Sequence, residues 1–143
     1  MKDFKRLAHD VWEGKYHIVW CPKYRFRILE GSIGRSVRDI IKQLCEWKQV
    51  EILEGSVQID HIPLVLSIPP KYSLSELVGF LKGKSAALIH RTVLGKKRVT
   101  GLHFWARGYC VSTVGLDEET IRNYIREQEK SGKEQLELEF DDE

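Results

Sequence analysis

Three side chains in this sequence have the chemistry needed to work on a phosphodiester: a phenol, an imidazole and a carboxamide. Tyr124 and Gln128 lie four residues apart in a segment predicted to be helical, 117–129, so they share one helix face. His61 precedes a predicted strand, Ile62–Ile68. An imidazole and a carboxamide can hold a divalent cation over a phosphate while the phenol oxygen attacks phosphorus, which gives a covalent phosphotyrosine link.

Position 63 limits this interpretation. Residues two apart on a strand point to the same side, so a histidine at 63 would share a cation with His61. The chain has Pro63 there, which carries no ligand atom and no backbone N–H. The spacing alone also leaves plainer alternatives open: a structural histidine at a hairpin, and a Tyr–Gln pair on the surface of a charged helix.

Length and composition predict one domain. The chain has 143 residues and is 42% hydrophobic, which is enough for a sizeable core. It has no apolar run of about 18 residues and no apolar signal core at the N-terminus, so we expect a cytoplasmic protein without a membrane partner. The cysteines Cys21, Cys45 and Cys110 are widely spaced and odd in number, which argues against a disulfide framework or a zinc site.

Charge is unevenly distributed along the chain. The net charge is +2, but residues 134–143 hold six acidic side chains and no basic one. Without them the chain has 23 basic and 15 acidic residues, a net charge of about +8. Such a body suits a polyanionic partner, although an ordinary solvated surface is compatible with the same excess. We predict a folded domain over residues 1–130 and a disordered acidic tail over 131–143.

The order of predicted elements is β-α-β-β-α-β, followed by a last helix. Strands are predicted at 16–20, 50–57, 62–68 and 109–114, and helices at 35–48, after a capping box at Ser73 and Glu76, and at 117–129. This is the order of the α+β, ferredoxin-like split βαβ fold. It predicts a four-stranded antiparallel sheet with two helices on one face, and leaves the other face for a ligand, another subunit or the last helix.

Two glycines lie inside the second predicted helix. Gly79 and Gly83 each cost helix stability relative to alanine, by about 1 kcal/mol. Their spacing of one turn predicts a compensating close approach by another backbone, from the protein or from a nucleic acid.

Basic and aromatic residues alternate directly after the first strand. Lys23, Arg25 and Arg27 alternate with Tyr24 and Phe26. This pattern suits contacts with a nucleic-acid backbone combined with some base stacking. We therefore predict that the three basic residues bind DNA.

Further basic residues accompany the second helix and the segment after it. Lys82 and Lys84 lie within the predicted helix, and Arg107 follows Trp105 by two residues. We predict that these three basic side chains also bind DNA. Phe104 and Trp105 are predicted to pack in the core rather than stack on bases.

Eight blocks of sequence, in order along residues 15–129, resemble one protein family. They are YHIVWCPKYR at 16–25, LCEW at 44–47, DHIPL at 60–64, SIPPK at 67–71, GFLKGKS at 79–85, FWARGY at 104–109, VSTVG at 111–115 and YIREQ at 124–128. In these blocks the chain resembles the small single-tyrosine HUH transposases of bacterial insertion sequences, the group that includes the REP-associated tyrosine transposases.

The resemblance implies a homodimer with merged sheets that recognises DNA hairpins and cuts single-stranded DNA with Mg²⁺ or Mn²⁺. It implies that Tyr124 is the nucleophile, often working against the metal site of the other subunit. It also implies that Gln128 is the metal ligand on the helix, and that His61 is the first histidine of the histidine–hydrophobe–histidine signature. No small-molecule cofactor is implied.

The family signature reads Asp-His-(Val/Ile)-His, whereas this chain reads Asp60-His61-Ile62-Pro63. Two protein ligands remain of three, and such a loss should cost at least the roughly 10–100-fold that outer-shell changes cost. Mg²⁺ nevertheless accepts few protein ligands when waters and substrate phosphate complete its shell.

The resemblance, together with the proline at position 63, leads to two possible functions. One is a transposase that cleaves and rejoins DNA ends through a 5′-phosphotyrosine at Tyr124, with activity impaired by Pro63. The other is a cleavage-dead, hairpin-binding dimer with a regulatory role. A ferredoxin-like RNA or small-molecule module is disfavoured, because the predicted central strands carry few aromatic residues for an exposed face.

Overall fold

The computed structural model describes residues 14–93, 103–113, 118–131 and 136–137. Its elements in chain order are β1 (Gly14–Trp20), a 3₁₀ turn (Lys23–Arg25), α1 (Gly31–Trp47), β2 (Glu51–Val57), β3 (Ile62–Ile68), α2 (Leu74–Leu88), a π-helical turn (Ile89–Val93), β4 (Cys110–Thr113), α3 (Glu118–Ser131) and β5 (Leu136–Glu137). Residue 117, the predicted start of the last helix, lies outside the described residues. None of the helices described is long and apolar enough to cross a bilayer.

The sheet is antiparallel throughout, in the order β4-β1-β3-β2-β5. The strands β4, β1, β3 and β2 have the order of the predicted split βαβ topology, so the prediction of an α+β, ferredoxin-like fold is confirmed. The fifth strand differs from the expected disordered tail, because Leu136 and Glu137 pair with Val57 and Ser56. The outer edge of β2 offers unpaired backbone groups, which is the physical reason that a passing segment can pair there.

Alternation along the strands divides the side chains between two faces of the sheet. One face forms the main core with α1 and α2, and its buried members include Ile18, Trp20, Val37, Ile41, Leu44, Ile62, Leu64, Leu66, Leu77 and Leu81. On the opposite face, Val65 of β3 is buried against Ile125 of α3. The last helix therefore takes the second face, one of the three occupants that the sequence left open.

α2 begins at the predicted capping box. The Glu76 N–H donates to Ser73 Oγ at 3.1 Å, and the Ser73 N–H donates to Glu76 Oε1 at 3.1 Å. No backbone among the described residues approaches Gly79 or Gly83, because an added Cβ at either position meets no atom within 4 Å, and an approach by a nucleic acid stays a prediction. These glycines therefore weaken the helix without a compensating contact from the described part of the chain.

Gly79→Ala and Gly83→Ala should each raise the free energy of unfolding by about 0.5–1 kcal/mol, because alanine favours the helix and restricts the unfolded chain. Urea denaturation measures the change. Gly31→Ala is the matched control: Gly31 has a φ of +58°, so the same substitution should lower stability there. A loss of stability in both α2 variants would contradict the open surroundings described for them.

Candidate functional site

His61 lies at the turn that joins β2 to β3, where an isolated bridge pairs it with Gln58. Its Nδ1 is 2.8 Å from Oδ1 of Asp60, and both side chains are 20% exposed. Arg25 of the turn after β1 reaches the same carboxylate, with Nη2 3.3 Å from Asp60 Oδ2. Two segments that are separate in sequence thus meet at Asp60.

Asp60 carries a negative charge that orients the imidazole. Partial burial acts to raise the pKa of Asp60, but the hydrogen bond with His61 and the charges of Arg25, His61 and Arg27 together lower the pKa below its ordinary value. An ionised carboxylate only accepts hydrogen bonds, so His61 Nδ1–H donates to it, and Nε2 is the ring nitrogen that this contact leaves for a ligand. This carboxylate support is typical of metal-binding histidines.

Pro63 lies in β3 opposite Val19 of β1 and is buried. The continuous pairing of β3 with β2 ends at Leu64 and Gly55, next to the proline that has no N–H to donate. By strand alternation, Pro63 shares the face of His61. The second ligand position is therefore occupied by a side chain that cannot bind a cation.

The donors fit a divalent cation only in part. His61 has the orientation and second-nitrogen partner of a ligand, whereas no three His, Cys, Asp or Glu side chains cluster in the part of the chain that the structure describes. The backbone of Gln128 lies in α3, and its side chain lies outside the described residues. Such a site suits a weakly held Mg²⁺ or Mn²⁺ whose shell is completed by water and substrate phosphate.

α3 lies on the same face of the sheet as His61, but it docks away from that residue. Ile125 is fully buried against Val65, which lies four residues beyond His61, about 13 Å along an extended strand. Tyr124, next to Ile125, is 59% exposed. The structure therefore places α3 on the same face of the sheet as His61, with its buried contact at Val65 and Ile125 rather than at the imidazole.

A buried carboxylate fastens α3 to the sheet. Glu54 is 8% exposed, and its Oε1 lies 3.3 Å from Arg122 Nε and 3.0 Å from Arg126 Nη2. The register of β2 on β3 shifts between Ile52 and Glu54, so Leu53 is the extra residue of a β-bulge. The bulge leaves the Glu54 carboxylate on the α3 side, where it holds two positive charges from successive turns of the helix.

Sequence reasoning missed Glu54. The available signal was the spacing of Arg122 and Arg126, which share a helix face with the apolar residues Ile121 and Ile125. Two arginines beside a buried stripe require an acidic partner on the surface they cover. What the sequence could not supply was the bulge that orients the acid.

Four of the six predicted DNA-binding side chains are exposed and two are half-buried. Arg25, Arg27, Lys84 and Arg107 are exposed, and Lys23 and Lys82 are half-buried. Of these, Arg25 also holds Asp60. Their accessibility is compatible with phosphate binding, and their role as DNA contacts stays a prediction.

Lys82 has a structural partner that the sequence did not indicate. Its Nζ donates to the carbonyl oxygens of Ala106 at 2.8 Å and Gly108 at 2.7 Å. Partial burial lowers the pKa of Lys82, an effect that the neighbouring Cys21 partly offsets. The ammonium thus ties the segment after the π-helical turn to α2, and it is less suited to a phosphate contact than the exposed Lys84.

The prediction that Phe104 and Trp105 belong to the core is confirmed. Phe104 is fully buried and Trp105 is 6% exposed. Trp105 Nε1 donates to Ser85 Oγ of α2 at 2.8 Å, and its ring meets Trp20 edge-on at 5.9 Å between centroids. These contacts hold the segment before β4 in place and leave Arg107 at the surface.

Comparison with known sequences identifies relatives over nearly the whole chain. The family model described as "Transposase IS200 like" matches residues 10–128. The transposase for insertion sequence element IS200 of Salmonella typhimurium strain LT2 is 44% identical over 144 residues, which cover 98% of this chain and 94% of that protein. The ISDra2 transposase TnpA of Deinococcus radiodurans strain R1 is 31% identical over 128 residues, covering 88% and 91%.

Solved structures give the same grouping. A crystal structure of a transposase-like protein from Deinococcus radiodurans R1 matches with a TM-score of 0.67 and 28% identity, over 82% of this chain and 92% of that one. The REP-associated tyrosine transposase bound to a REP hairpin matches with a TM-score of 0.65 over 92% of this chain and 74% of that one. Its identity is 15%, so this second likeness concerns the fold.

Glu54→Gln should loosen α3, because the amide keeps the shape of the side chain but removes the charge that holds both arginines. Hydrogen bonds to charged groups contribute more than neutral ones, and partial exposure reduces the gain to about 1 kcal/mol here. Hydrogen exchange over residues 118–131 should accelerate by about fivefold.

Asp39→Asn is the matched control for this prediction. Asp39 pairs with Arg38, and its side chain is 67% exposed, so the substitution should leave the exchange of α3 unchanged. Equal exchange in wild type and Glu54→Gln would show that apolar packing at Ile125 alone docks the helix.

Proposed function

This chain belongs to the family of IS200-like transposases, and we propose that it binds DNA hairpins at the ends of a mobile element and acts on the adjoining single strand through Tyr124. The observation that carries the proposal is the Asp60–His61 pair, held in a ligand-like orientation on the sheet face that also carries the Tyr124 helix. The REP-associated tyrosine transposase of similar fold is bound to a REP hairpin, which supports a folded DNA partner.

The chemistry assigned to Tyr124 is transfer of one phosphodiester bond. Its phenol oxygen attacks phosphorus, the bond from phosphorus to the 3′ oxygen breaks, and the phenol proton is lost to solvent while the leaving oxygen gains one. The product is a 5′-phosphotyrosine, and the reverse attack by another 3′ hydroxyl rejoins DNA. A Mg²⁺ or Mn²⁺ ion held by His61 and Gln128 supplies charge stabilisation at the phosphate when it is bound. Pro63 removes one ligand, so this activity is weak.

We also propose that the working unit is a homodimer joined along β4. All four residues of β4 are exposed, with Val111 at 43%, and the strand pairs on one side with β1. An edge strand of this kind is a template for pairing with a second copy. A dimer also supplies a second α3. Because Ile125 lies apart from His61 within one chain, the α3 of the other subunit would be the helix that approaches this histidine.

A second candidate function is hairpin binding without cleavage. It is favoured by Pro63, which stands where the family signature has a second histidine. Such a protein would occupy element ends and regulate or protect them. The two candidates differ in whether a covalent product with DNA forms at all.

Pro63→His should raise Mn²⁺-dependent cleavage by at least about tenfold, because it restores a ligand beside His61. The substrate is the single-stranded hairpin that flanks the coding gene, and the readout is the covalent protein–DNA adduct on a denaturing gel. Pro63→Ala is the matched control, since it restores the backbone N–H without a ligand and should leave cleavage at the wild-type level. Tyr124→Phe should abolish every adduct.

The outcomes separate the two functions. An adduct from the wild type that disappears with a chelator selects the weak transposase. No adduct from the wild type, with hairpin binding that survives the chelator and falls steeply with salt, selects the binding protein. Equal affinity for the hairpin and for a scrambled single strand would contradict both.

Val111→Lys should convert a dimer into a monomer, because two like charges would meet across the joined edges. Sedimentation velocity measures the change. Trp47→Lys is the control, as Trp47 is 61% exposed but belongs to α1, and it should leave the assembly intact. A wild type that sediments as a monomer at high concentration would rule out the dimer along β4.

A further inference from the structure

We propose that Tyr24 and Phe26 form a stacking site for unpaired DNA bases beside His61. The inference rests on the proposed function and deepens it, because it assigns a contact with the single strand to residues that no comparison singles out. The site is the basic–aromatic loop, defined here as residues 23–27. Its aromatic side chains receive bases, and its cations contact the intervening phosphates.

Both aromatic rings lie in solvent. Tyr24 is 73% exposed and Phe26 is 38% exposed, although each could contribute to a core. Their centroids are 5.6 Å apart at an interplanar angle of 55°, so they form one apolar surface rather than two isolated rings. Rings displayed in this way are the platforms on which single strands stack, because every base has a flat π-face.

The backbone holds Tyr24 outward at a conformational cost. Tyr24 and Arg25 have φ values of +60° and +54°, in the left-handed region that ordinary residues avoid. Such strained residues persist where the surroundings determine them, and they concentrate at binding and active sites. A tyrosine at this position needs a reason beyond packing, since its ring packs on little of the protein.

Backbone hydrogen bonds anchor the first part of the loop, so its form there is set before any ligand arrives. The Lys23 N–H donates to the Phe104 carbonyl at 2.9 Å, and the Arg25 N–H donates to the Pro22 carbonyl at 2.8 Å. An isolated bridge joins Pro22 to Trp105. A preformed aromatic surface loses little entropy on binding.

The positive charges of the loop indicate which kind of partner binds there. Lys23, Arg25 and Arg27 lie within five residues, and Lys23 Nζ lies 5.4 Å from the Tyr24 ring centroid. A polyanion with aromatic bases matches both features, whereas an apolar protein partner would offer no charge to Lys23 and Arg27. Arg25 also joins this loop to Asp60 and hence to His61, so a strand stacked here passes next to the imidazole.

The test compares a single strand of about 12 thymidines with an abasic strand of the same length, which keeps the phosphates and removes the bases. Fluorescence anisotropy gives the dissociation constant for each. The wild type should prefer the thymidine strand by about 5- to 150-fold, the range for one stacked base. Equal affinity for both strands in the wild type overturns the inference.

Tyr24→Asn is the decisive variant, because asparagine tolerates the left-handed backbone and removes the ring. It should lose most of the preference for thymidine and keep the wild-type affinity for the abasic strand. Tyr24→Trp should retain the preference, since indole stacks at least as well. Trp47→Ala, which removes an exposed ring from α1, is the matched control and should change neither affinity.

The outcome is distinguishable from failure of the proposed function. If the flanking hairpin binds but Tyr24→Asn keeps the full preference for thymidine, the stacking site is wrong and hairpin binding stands. If Tyr24→Asn weakens both strands equally, the loop acts through its charges or its fold, which also overturns the inference. A preference equally strong for a polyuridine strand would extend the site to RNA and contradict its assignment to DNA.

Discussion

The hydrogen bond from His61 to Asp60 connects the parts of this molecule that bear on function. In it Nδ1–H donates to the carboxylate, which orients the ring and leaves Nε2 as the nitrogen that can meet a ligand. The same carboxylate pairs with Arg25, which ties the turn after β1 to the turn before β3. Because one ionised group serves both neighbours, the imidazole and the loop of residues 23–27 are positioned together rather than independently.

Much of the fold was accessible from sequence, because it depends on local patterns. A nearly continuous apolar run that stops at Pro69 predicted β3 with its observed ends, and Ser73 with Glu76 predicted the start of α2. The docking of α3 was not accessible, since it depends on a bulge at Leu53 and on the orientation of Glu54. The strand at Leu136 was missed for a related reason: two residues carry too little pattern, and the partner edge is visible only in three dimensions.

The candidate site divides in the same way. Residue types and spacing singled out Tyr124, Gln128 and His61, because chemistry restricts which side chains can act on a phosphate. Residue types and spacing did not predict where α3 lies relative to the β2–β3 turn, because that position depends on the burial of Ile125. Nor did they distinguish a phosphate-binding lysine from Lys82, whose ammonium is held by two backbone carbonyls. Long-range hydrogen bonds of this kind leave no local signature.

The short strand β5 has a consequence for how copies of this chain associate. It pairs with the end of β2, so the two outer edges of the sheet are not equivalent. A sheet with two equally open edges can add copies at both and grow into a filament, whereas one shielded edge favours closure after a single pairing. The acidic segment that contains β5 would then limit the addition of further copies at the β2 edge. This effect would come from strand pairing and would not depend on the charge of the segment.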